Sequence, residues 1–87
     1  MNPRVKAVIP QANFVLQLQF ENGEFRIFDV KPYLEKGFFQ ELKDPAYFRS
    51  VQPVLGTIQW PRGQDFCPDT LYELSEPLSE SLAFASV

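Results

Sequence analysis

Alternating apolar and polar residues indicate two β-strands between residues 14 and 30, on either side of the pair Asn22-Gly23. Asn-Gly is the preferred pair for a two-residue type I′ turn, so we predict a hairpin in which Phe20 faces Phe25. Because successive residues of a strand point to opposite sides, this register gives one apolar face and one mixed face. The apolar face would be Leu16, Leu18, Phe20, Phe25 and Ile27, and the mixed face would carry Val15, Gln17, Gln19, Arg26, Phe28 and Val30.

Shorter patterns complete the predicted fold. Residues 5–9 indicate a first strand that ends at Pro10 and pairs with the strand from residue 14, with Val5, Ala7 and Ile9 on one face. Residues 56–60 indicate a fourth strand. Asp44-Pro45 is typical of a helix start, with Pro at the first helical position, and predicts a helix over residues 45–51 with Phe48 and Val51 inward. Single helical turns are expected over residues 32–36 and 38–42, and a last helix over 68–74, with Leu71 and Leu74 inward. We therefore predict an α+β fold: a small antiparallel sheet of about four strands with short helices packed on one face.

A chain of 87 residues with 45% hydrophobic residues is long enough for one globular domain. We place this domain at residues 1–74. Residues 75–87 are rich in Ser and Glu, although Leu78 and Leu82 have helical spacing. We expect them to form an acidic tail that is mobile in the free monomer or ordered by docking on a partner.

Composition narrows the possible chemistry. The chain has no His, which removes Ser-His and Cys-His nucleophile pairs and His metal ligands. The single Cys67 forms no internal disulfide, and the sequence shows neither a signal peptide nor an apolar run of membrane-spanning length, so we expect a cytoplasmic protein without a membrane partner. After Arg62 there are five acidic residues and no basic one, which makes nucleic acid an unfavoured partner.

Three stretches together resemble a bacterial family known as domain of unknown function 2442. They are IQWPRGQDFCPDTLY at 58–72, FENGE at 20–24 and FDVKPYL at 28–34, within a resemblance that covers roughly residues 3–74. The resemblance implies a small α+β domain without an established activity. Some relatives look like the front half of a protein with a C-terminal helix-turn-helix, which we do not expect in this chain. The resemblance also implies that other relatives are encoded beside a second small protein, in a manner similar to toxin–antitoxin pairs.

The acidic residues and the cysteine have two interpretations each. Asp65, Asp69 and Glu73 follow a four-residue spacing that would share a helix face and could hold a hard cation. Pro68 starts the predicted helix after Asp65, however, so a solvated acidic face is the favoured interpretation. We expect Asp65 itself to hydrogen-bond nearby loop amides. Cys67 could act as a nucleophile only beside a base or cation, and we expect a buried or inert thiol instead.

Aromatic residues supply the candidate interaction surface. Trp60 with Pro61 could be a platform for a partner's side chain, although a core Trp packed on Tyr72 is the favoured interpretation. Phe38 and Phe39 cannot easily both point into one small core, so this pair is the best candidate for exposed apolar surface. The candidate interaction residues are Phe38, Phe39, Trp60, Asp65, Asp69 and Tyr72.

We expect a non-catalytic protein–protein interaction module, an accessory or antitoxin-like partner of another small protein, with no cofactor and no metal. The partner would be that protein or a second copy of this chain, and the mechanism would be steric and electrostatic masking. A DNA-associated regulator fragment is the alternative, and a basic helix would distinguish it. A small enzyme without His chemistry is the third possibility, and a convergent nucleophile–base pair would distinguish it.

Overall fold

A computed structural model describes residues 2–78 of the chain. Within this range the strands are β1 (Val5–Gln11), β2 (Val15–Phe20), β3 (Phe25–Asp29), β4 (Gln52–Val54), β5 (Thr57–Gln59), β6 (Asp65–Phe66) and β7 (Glu76–Pro77). The α-helices are α1 (Pro45–Phe48) and α2 (Pro68–Leu74), and 3₁₀ segments cover Ala12–Phe14, Lys31–Tyr33 and Gly37–Lys43. None of the helices in residues 2–78 is long and apolar enough to cross a membrane.

The strands form two antiparallel sheets, which confirms the predicted α+β class. The first sheet has the order β1-β2-β3-β7 and the second has the order β4-β5-β6. The strand predicted at residues 56–60 exists as β5, but it belongs to the second sheet, and β7 is the fourth strand of the first. One apolar core joins the inner side of the first sheet to the second sheet and the helices; it contains Leu16, Leu18, Phe20, Phe28, Leu42, Phe48, Ile58, Trp60, Phe66 and Leu71.

The hairpin at Asn22-Gly23 is present, but its predicted turn and register are wrong. Gly23 donates its N–H to the carbonyl of Phe20, and Phe20 donates to the carbonyl of Glu24, so the loop has three residues. Only Gly23, with φ +92°, takes the left-handed conformation, which is the pattern of a type I turn followed by a glycine bulge. Gln19 consequently faces Phe25, where the two-residue turn would have paired Phe20 with Phe25.

This one-residue shift turns every side chain of β3 to the other side of the sheet. Phe28 enters the core at 1% exposure, and Arg26 lies beside Leu18 on the inner side. Phe25, which was predicted to be inward, is 43% exposed. The inner face of the hairpin is therefore Leu16, Leu18, Phe20, Arg26 and Phe28, and the opposite face carries Val15, Gln17, Gln19, Phe25 and Ile27.

Strand β1 pairs with β2 as predicted, with one irregularity. The register shifts between Val5 and Ala7, and the extra residue moves Ile9 to the solvent side at 51% exposure while Val8 packs against the core. The predicted face of Val5, Ala7 and Ile9 is therefore interrupted. The strand also continues through Pro10, which edge strands tolerate.

The start of β1 joins the two sheets. Val5 donates to the carbonyl of Gly56 in the β4–β5 turn, and Arg4 reaches the carbonyl of Leu55 at 3.1 Å. Leu55 has φ +50° and Gly56 has φ +87°, so both loop residues have the positive φ of a type I′ turn. The turn type predicted for Asn22-Gly23 therefore occurs at Leu55-Gly56.

The helix starts that the sequence indicated agree with the structure better than the predicted helix lengths do. The Asp44 carboxylate caps α1 by accepting from the N–H of Ala46 at 3.0 Å. The Asp29 carboxylate accepts from the N–H of Lys31 at 2.9 Å, although Val30 is the residue that precedes the 3₁₀ segment. Helix α1 ends at Phe48, three residues short of the prediction, although Phe48 and the following Val51 are buried as expected. Leu74 was predicted to be inward but is 60% exposed.

The domain extends past the boundary that we placed at residue 74. Ser75 is 4% exposed, and it accepts two hydrogen bonds from the Arg26 guanidinium, at Oγ and at its carbonyl, each at 2.7 Å. Residues 76 and 77 then pair with β3, and Leu78 donates to the carbonyl of Phe25. Residues 75–78 therefore belong to the fold, and the predicted tail beyond them lies outside the described residues.

Candidate interaction surface

The corner between β5 and β6 repeats the turn of the first hairpin. Gly63 donates to the carbonyl of Trp60, Trp60 donates to the carbonyl of Gln64, and Gly63 has φ +105°. Pro61 occupies the second position of this turn, where its fixed φ is favoured. The sequence Trp-Pro-Arg-Gly-Gln therefore forms a tight, conformationally restricted loop that presents Pro61 and Arg62 to solvent.

The Trp60 ring lies under this corner. It is 1% exposed, its indole N–H donates to the carbonyl of Phe48 at 2.9 Å, and its ring centroid lies 6.2 Å from that of Phe66. The predicted buried position is confirmed, but the packing partners are Phe48 and Phe66 instead of Tyr72. Because the side chain is buried, Trp60 does not present its ring as an exposed platform.

Gln64 is the polar centre of the corner and is 1% exposed. Its Oε1 accepts from the Tyr47 hydroxyl at 2.7 Å, and its Nε2 donates to the carbonyl of Phe38 at 3.1 Å and to Glu41 Oε1 at 2.7 Å. One amide therefore ties the loop to α1 and to the 3₁₀ segment Gly37–Lys43. A buried amide with all these bonds formed fixes three separate segments relative to one another.

Arg62 joins the same hydrogen-bond network from the solvent side. Its backbone N–H donates to the Tyr47 hydroxyl at 2.8 Å, its guanidinium pairs with Glu41 at 2.8 Å, and it lies 5.3 Å from the centre of the Tyr47 ring. Since the Arg62 side chain is 64% exposed, the ion pair adds little stability. Its geometric effect is to place a cation and a carboxylate at the rim of the corner.

Phe38 and Phe39 lie in different environments, as expected of two neighbouring aromatic residues that cannot both enter one small core. Phe39 is half-buried, and its ring stacks on Phe66 with centroids 5.1 Å apart. Phe38 is 55% exposed, and a methyl group placed on Gly63 would lie 3.9 Å from Cε2 of Phe38. The Phe38 ring therefore rests beside the backbone of the corner, and its own carbonyl is held by Gln64.

Asp65 and Cys67 differ from expectation. Asp65 was expected to hydrogen-bond the loop amides, but within residues 2–78 its side chain accepts no hydrogen bond, and Gln64 has the tethering role instead. Asp65 is exposed on β6 opposite Gln59. Cys67 is exposed, so the first of the two expectations for it, a buried thiol, is wrong, whereas the inert thiol stays a prediction. Beside Pro61 lies an open depression of about 340 Å³ lined by Ser50, Gln52, Val54, Gln59, Trp60 and Pro61.

Asp69 and Tyr72 lie on α2, apart from the corner. Asp69 and Glu73 share a helix face and accept from the Asn2 amide at 3.3 and 3.1 Å, whereas Asp65 lies on β6, outside the helix. Within residues 2–78 no group of three His, Cys, Asp or Glu side chains could hold a metal ion. Asp65 therefore does not share the helix face of Asp69 and Glu73, as the position of Pro68 indicated.

Tyr72 connects α2 to the tip of the first hairpin. Its hydroxyl donates to Glu24 Oε2 at 2.6 Å, its ring contacts Phe20 edge-on, and the Arg26 guanidinium lies 4.5 Å from the ring centre. The hydrogen bond from Tyr72, followed by that from Asn22, lowers the pKa of Glu24. The same bond to Glu24 raises the pKa of Tyr72.

The structure therefore brings together four of the six candidate residues, Phe38, Phe39, Trp60 and Asp65, around the β5–β6 corner. The sequence analysis missed Gln64, Tyr47 and Glu41, which hold that corner in place. No local pattern marks them, because their contacts join residues 17 to 26 positions apart.

The model of the family described as "Protein of unknown function (DUF2442)" matches residues 5–77. This match covers most of the chain, so the chain belongs to this family and the resemblance seen in the sequence is confirmed. Neither the curated proteins nor the solved structures contain a match to the chain.

Proposed function

We propose that this member of the DUF2442 family is a non-catalytic protein–protein interaction module, an accessory or antitoxin-like partner of another small protein. The observation that carries the proposal is Phe38, an aromatic side chain that is 55% exposed although its backbone is held by a buried amide. Interfaces gain most of their binding energy from a few such anchors, aromatic ones above all. An anchor fixed before binding loses little conformational entropy when the partner arrives.

The surroundings of Phe38 fit the rim of an interface. Arg62 and Glu41 form an exposed ion pair beside it, and Gly63 places no side chain next to the ring. Interfaces typically combine an apolar centre with a polar rim, and Arg is enriched in them. The corner therefore offers one anchor, one cation and one carboxylate in a fixed arrangement.

Charge supports a basic partner. The chain has a net charge of −3, and all the charged residues after Arg62 are acidic. Asp65 is the one closest to the corner in sequence, and α2 adds Asp69 and Glu73. An acidic surface would attract a basic one over distances of about one Debye length and mask it by steric cover. The lone Cys67 supports a reducing compartment, such as the cytoplasm, as the place of this interaction.

The experiment is a binding titration against the product of the adjacent gene, after co-purification of the two proteins. Phe38→Ser should weaken binding by about 30-fold, the effect of losing one interface hot spot. Leu74→Ser is the matched control, because Leu74 is 60% exposed but lies on α2. Both variants should keep the melting temperature of the unmodified chain within about 3 °C, since each removes a mostly exposed side chain.

The Leu74→Ser control shows whether the interface lies at the corner or on α2. If Phe38→Ser binds like the unmodified chain while Leu74→Ser loses affinity, the interface is on α2 and the proposal for the corner is wrong. Loss of affinity in both variants without a change in melting would indicate a broader surface than the corner. Absence of any complex with the adjacent product would refute the choice of partner.

A further inference from the structure

Leu55 combines a strained backbone with an almost fully exposed apolar side chain. Among residues 2–78, three residues other than glycine have positive φ, namely Asn13, Phe14 and Leu55. Asn adopts this conformation readily, and the Phe14 ring packs edge-on against Phe48 with centroids 5.3 Å apart, so both have a local explanation. The Leu55 side chain is 89% exposed, so packing within residues 2–78 does not offset its strain. Strain of this kind concentrates at functional sites, which distinguishes Leu55 from an ordinary exposed Leu.

Contacts with the start of β1 hold the Leu55-Gly56 turn in place. Val5 donates its N–H to the carbonyl of Gly56 at 2.8 Å, and the Arg4 guanidinium donates to the carbonyl of Leu55 at 3.1 Å. The stem of Arg4 also lies over Gly56, where an added Cβ would come within 2.9 Å of Arg4 Cδ. The turn therefore presents Leu55 in one position, and an apolar side chain fixed before binding loses little entropy when a partner covers it.

One continuous surface joins this turn to the β5–β6 corner. Strand β5 runs from the turn to the corner, and the open depression of about 340 Å³ is lined by Val54, next to Leu55, and by Pro61 of the corner. Gln59 also lines the depression, and it lies on the solvent side because its neighbour Ile58 points into the core. A partner that covers the depression would therefore reach both ends of β5.

We propose that the Leu55-Gly56 turn is a second anchor of the interface that contains Phe38, and that Leu55 enters an apolar cleft of the same partner protein. This inference rests on the proposed function, because it names a further contact with that partner. Burial of Leu55 in the complex offsets the strain that the unbound chain carries. The residue that suits the complex therefore differs from the one that would suit the fold, a trade-off common at functional sites.

The two anchors are close enough to belong to one interface. Six residue steps separate Leu55 from Pro61, and an extended chain of that length spans about 20 Å. A standard interface covers about 800 Å² on each partner, which corresponds to a disc about 32 Å across. A small partner protein can therefore contact the turn, the depression and the corner together.

Charged residues at this surface indicate how the partner is oriented. Arg4 lies beside the turn and Asp65 lies on β6 opposite Gln59, and neither forms an ion pair within residues 2–78. Arg4 uses one N–H on the Leu55 carbonyl, and a guanidinium has five. The cleft that receives Leu55 would thus have a carboxylate at its rim, while a basic side chain of the partner would meet Asp65. Two opposite charges at different places favour one orientation over the reverse.

A lipid surface is the other class of partner that an exposed Leu beside an Arg could meet. Anionic membranes attract clusters of Lys and Arg, whereas this chain has a net charge of −3. Stable attachment to a bilayer also requires a larger apolar area than one side chain offers. These considerations favour a protein cleft, and vesicle binding becomes an outcome of the test.

The test combines a binding titration against the product of the adjacent gene with thermal melting of the chain alone. Leu55→Asn should weaken binding at least about 10-fold, because it removes the apolar anchor. The same variant should melt about 4–8 °C higher, because Asn tolerates the backbone conformation. Leu74→Asn makes the same chemical change at an exposed position of α2 and should leave the affinity unchanged. Leu55→Met keeps an apolar side chain and should lose less affinity than Leu55→Asn.

Several results would overturn the second anchor. If Leu55→Asn binds like the unmodified chain while Phe38→Ser loses affinity, the inference is wrong and the proposed function stands. An unchanged or lower melting temperature of Leu55→Asn would overturn it even where a complex forms, because Leu55 would then stabilise the fold. Binding of the chain to vesicles of phosphatidylcholine and phosphatidylserine that Leu55→Asn abolishes would assign the turn to a lipid surface. Loss of affinity in Leu55→Asn but not in Phe38→Ser would support this anchor and refute the corner.

Discussion

Replacing Gln64 by Glu tests whether the β5–β6 corner depends on one buried amide. The substitution keeps the size of the side chain, so packing changes little. It replaces Nε2, which donates to Phe38 and Glu41, by an oxygen that can only accept when ionised. That oxygen would stand where Nε2 lies 2.7 Å from the Glu41 carboxylate, so two negative groups would replace a hydrogen bond.

The magnitude follows from the bonds that are lost. Each buried or half-buried acceptor left without its donor costs about 1–3 kcal/mol, and here there are two. A charge at a site of 1% exposure adds to this, partly relieved by protonation. We expect a loss of at least about 3 kcal/mol from a total of roughly 5–15 kcal/mol. In a domain of this size the melting temperature would fall by about 12–24 °C.

Thermal melting at pH 7, followed by circular dichroism, measures this loss. Gln52→Glu is the control, because Gln52 is exposed and the chemical change is identical. At pH 4.5 the penalty of Gln64→Glu should shrink, since a protonated carboxyl can donate one of the two lost bonds. A melting temperature within about 3 °C of the unmodified chain at pH 7 would refute the assignment of Gln64 as the tether of the corner.

Three further substitutions test the turns and the hairpin tip. Gly23→Val should lower the free energy of unfolding by about 1–2 kcal/mol, because φ is +92° although the space around Gly23 is open; unchanged thermal melting would contradict the glycine bulge. Leu55→Asn should raise the melting temperature by about 4–8 °C, since Leu55 is 89% exposed at φ +50° and Asn tolerates this conformation; a decrease would show that the exposed side chain stabilises the fold. The pKa of Glu24 is lower in the folded state, so its contribution to stability is present above the unfolded-state pKa and is lost as the pH falls through the folded-state pKa. The melting temperature should therefore depend less on pH between 3 and 6 in Glu24→Gln than in the unmodified chain. An equal pH dependence of the melting temperature in the two proteins would contradict this. The pKa of Tyr72 is raised, so its share is present below the unfolded value and is lost only as the pH rises through the folded value, outside that range.

Signals that act over a few residues could be predicted from the sequence. Asp44-Pro45 starts a helix because the Asp carboxylate caps a nearby N–H and Pro needs no N–H partner, and neither effect depends on the rest of the chain. The hairpin, the strand before it and the strand at residues 57–59 were predictable for the same reason. So was the divergence of Phe38 and Phe39, which follows from the limited volume of a small core.

The register of β3 was not predictable, because Asn-Gly fits two turns. In a type I′ turn both residues take positive φ, but here Gly23 alone does, and Asn22 instead accepts the N–H of Glu24. The predicted two-residue turn paired Phe20 with Phe25, which placed Phe25 inward and Arg26 on the other face. Arg26 is accepted on the inner side because Tyr72 and Ser75, about 50 positions away, supply a ring and two hydrogen-bond acceptors.

Contacts between distant segments also limited what could be predicted about the β5–β6 corner. Trp60, Pro61 and Gly63 are informative residues, and their roles as buried ring, turn former and left-handed residue follow from their chemistry. Gln64 has an ordinary side chain, and its importance comes from Tyr47, Phe38 and Glu41, which reach it from other segments. Long-range partners therefore decided both which β3 residues face the core and which residue holds the candidate site.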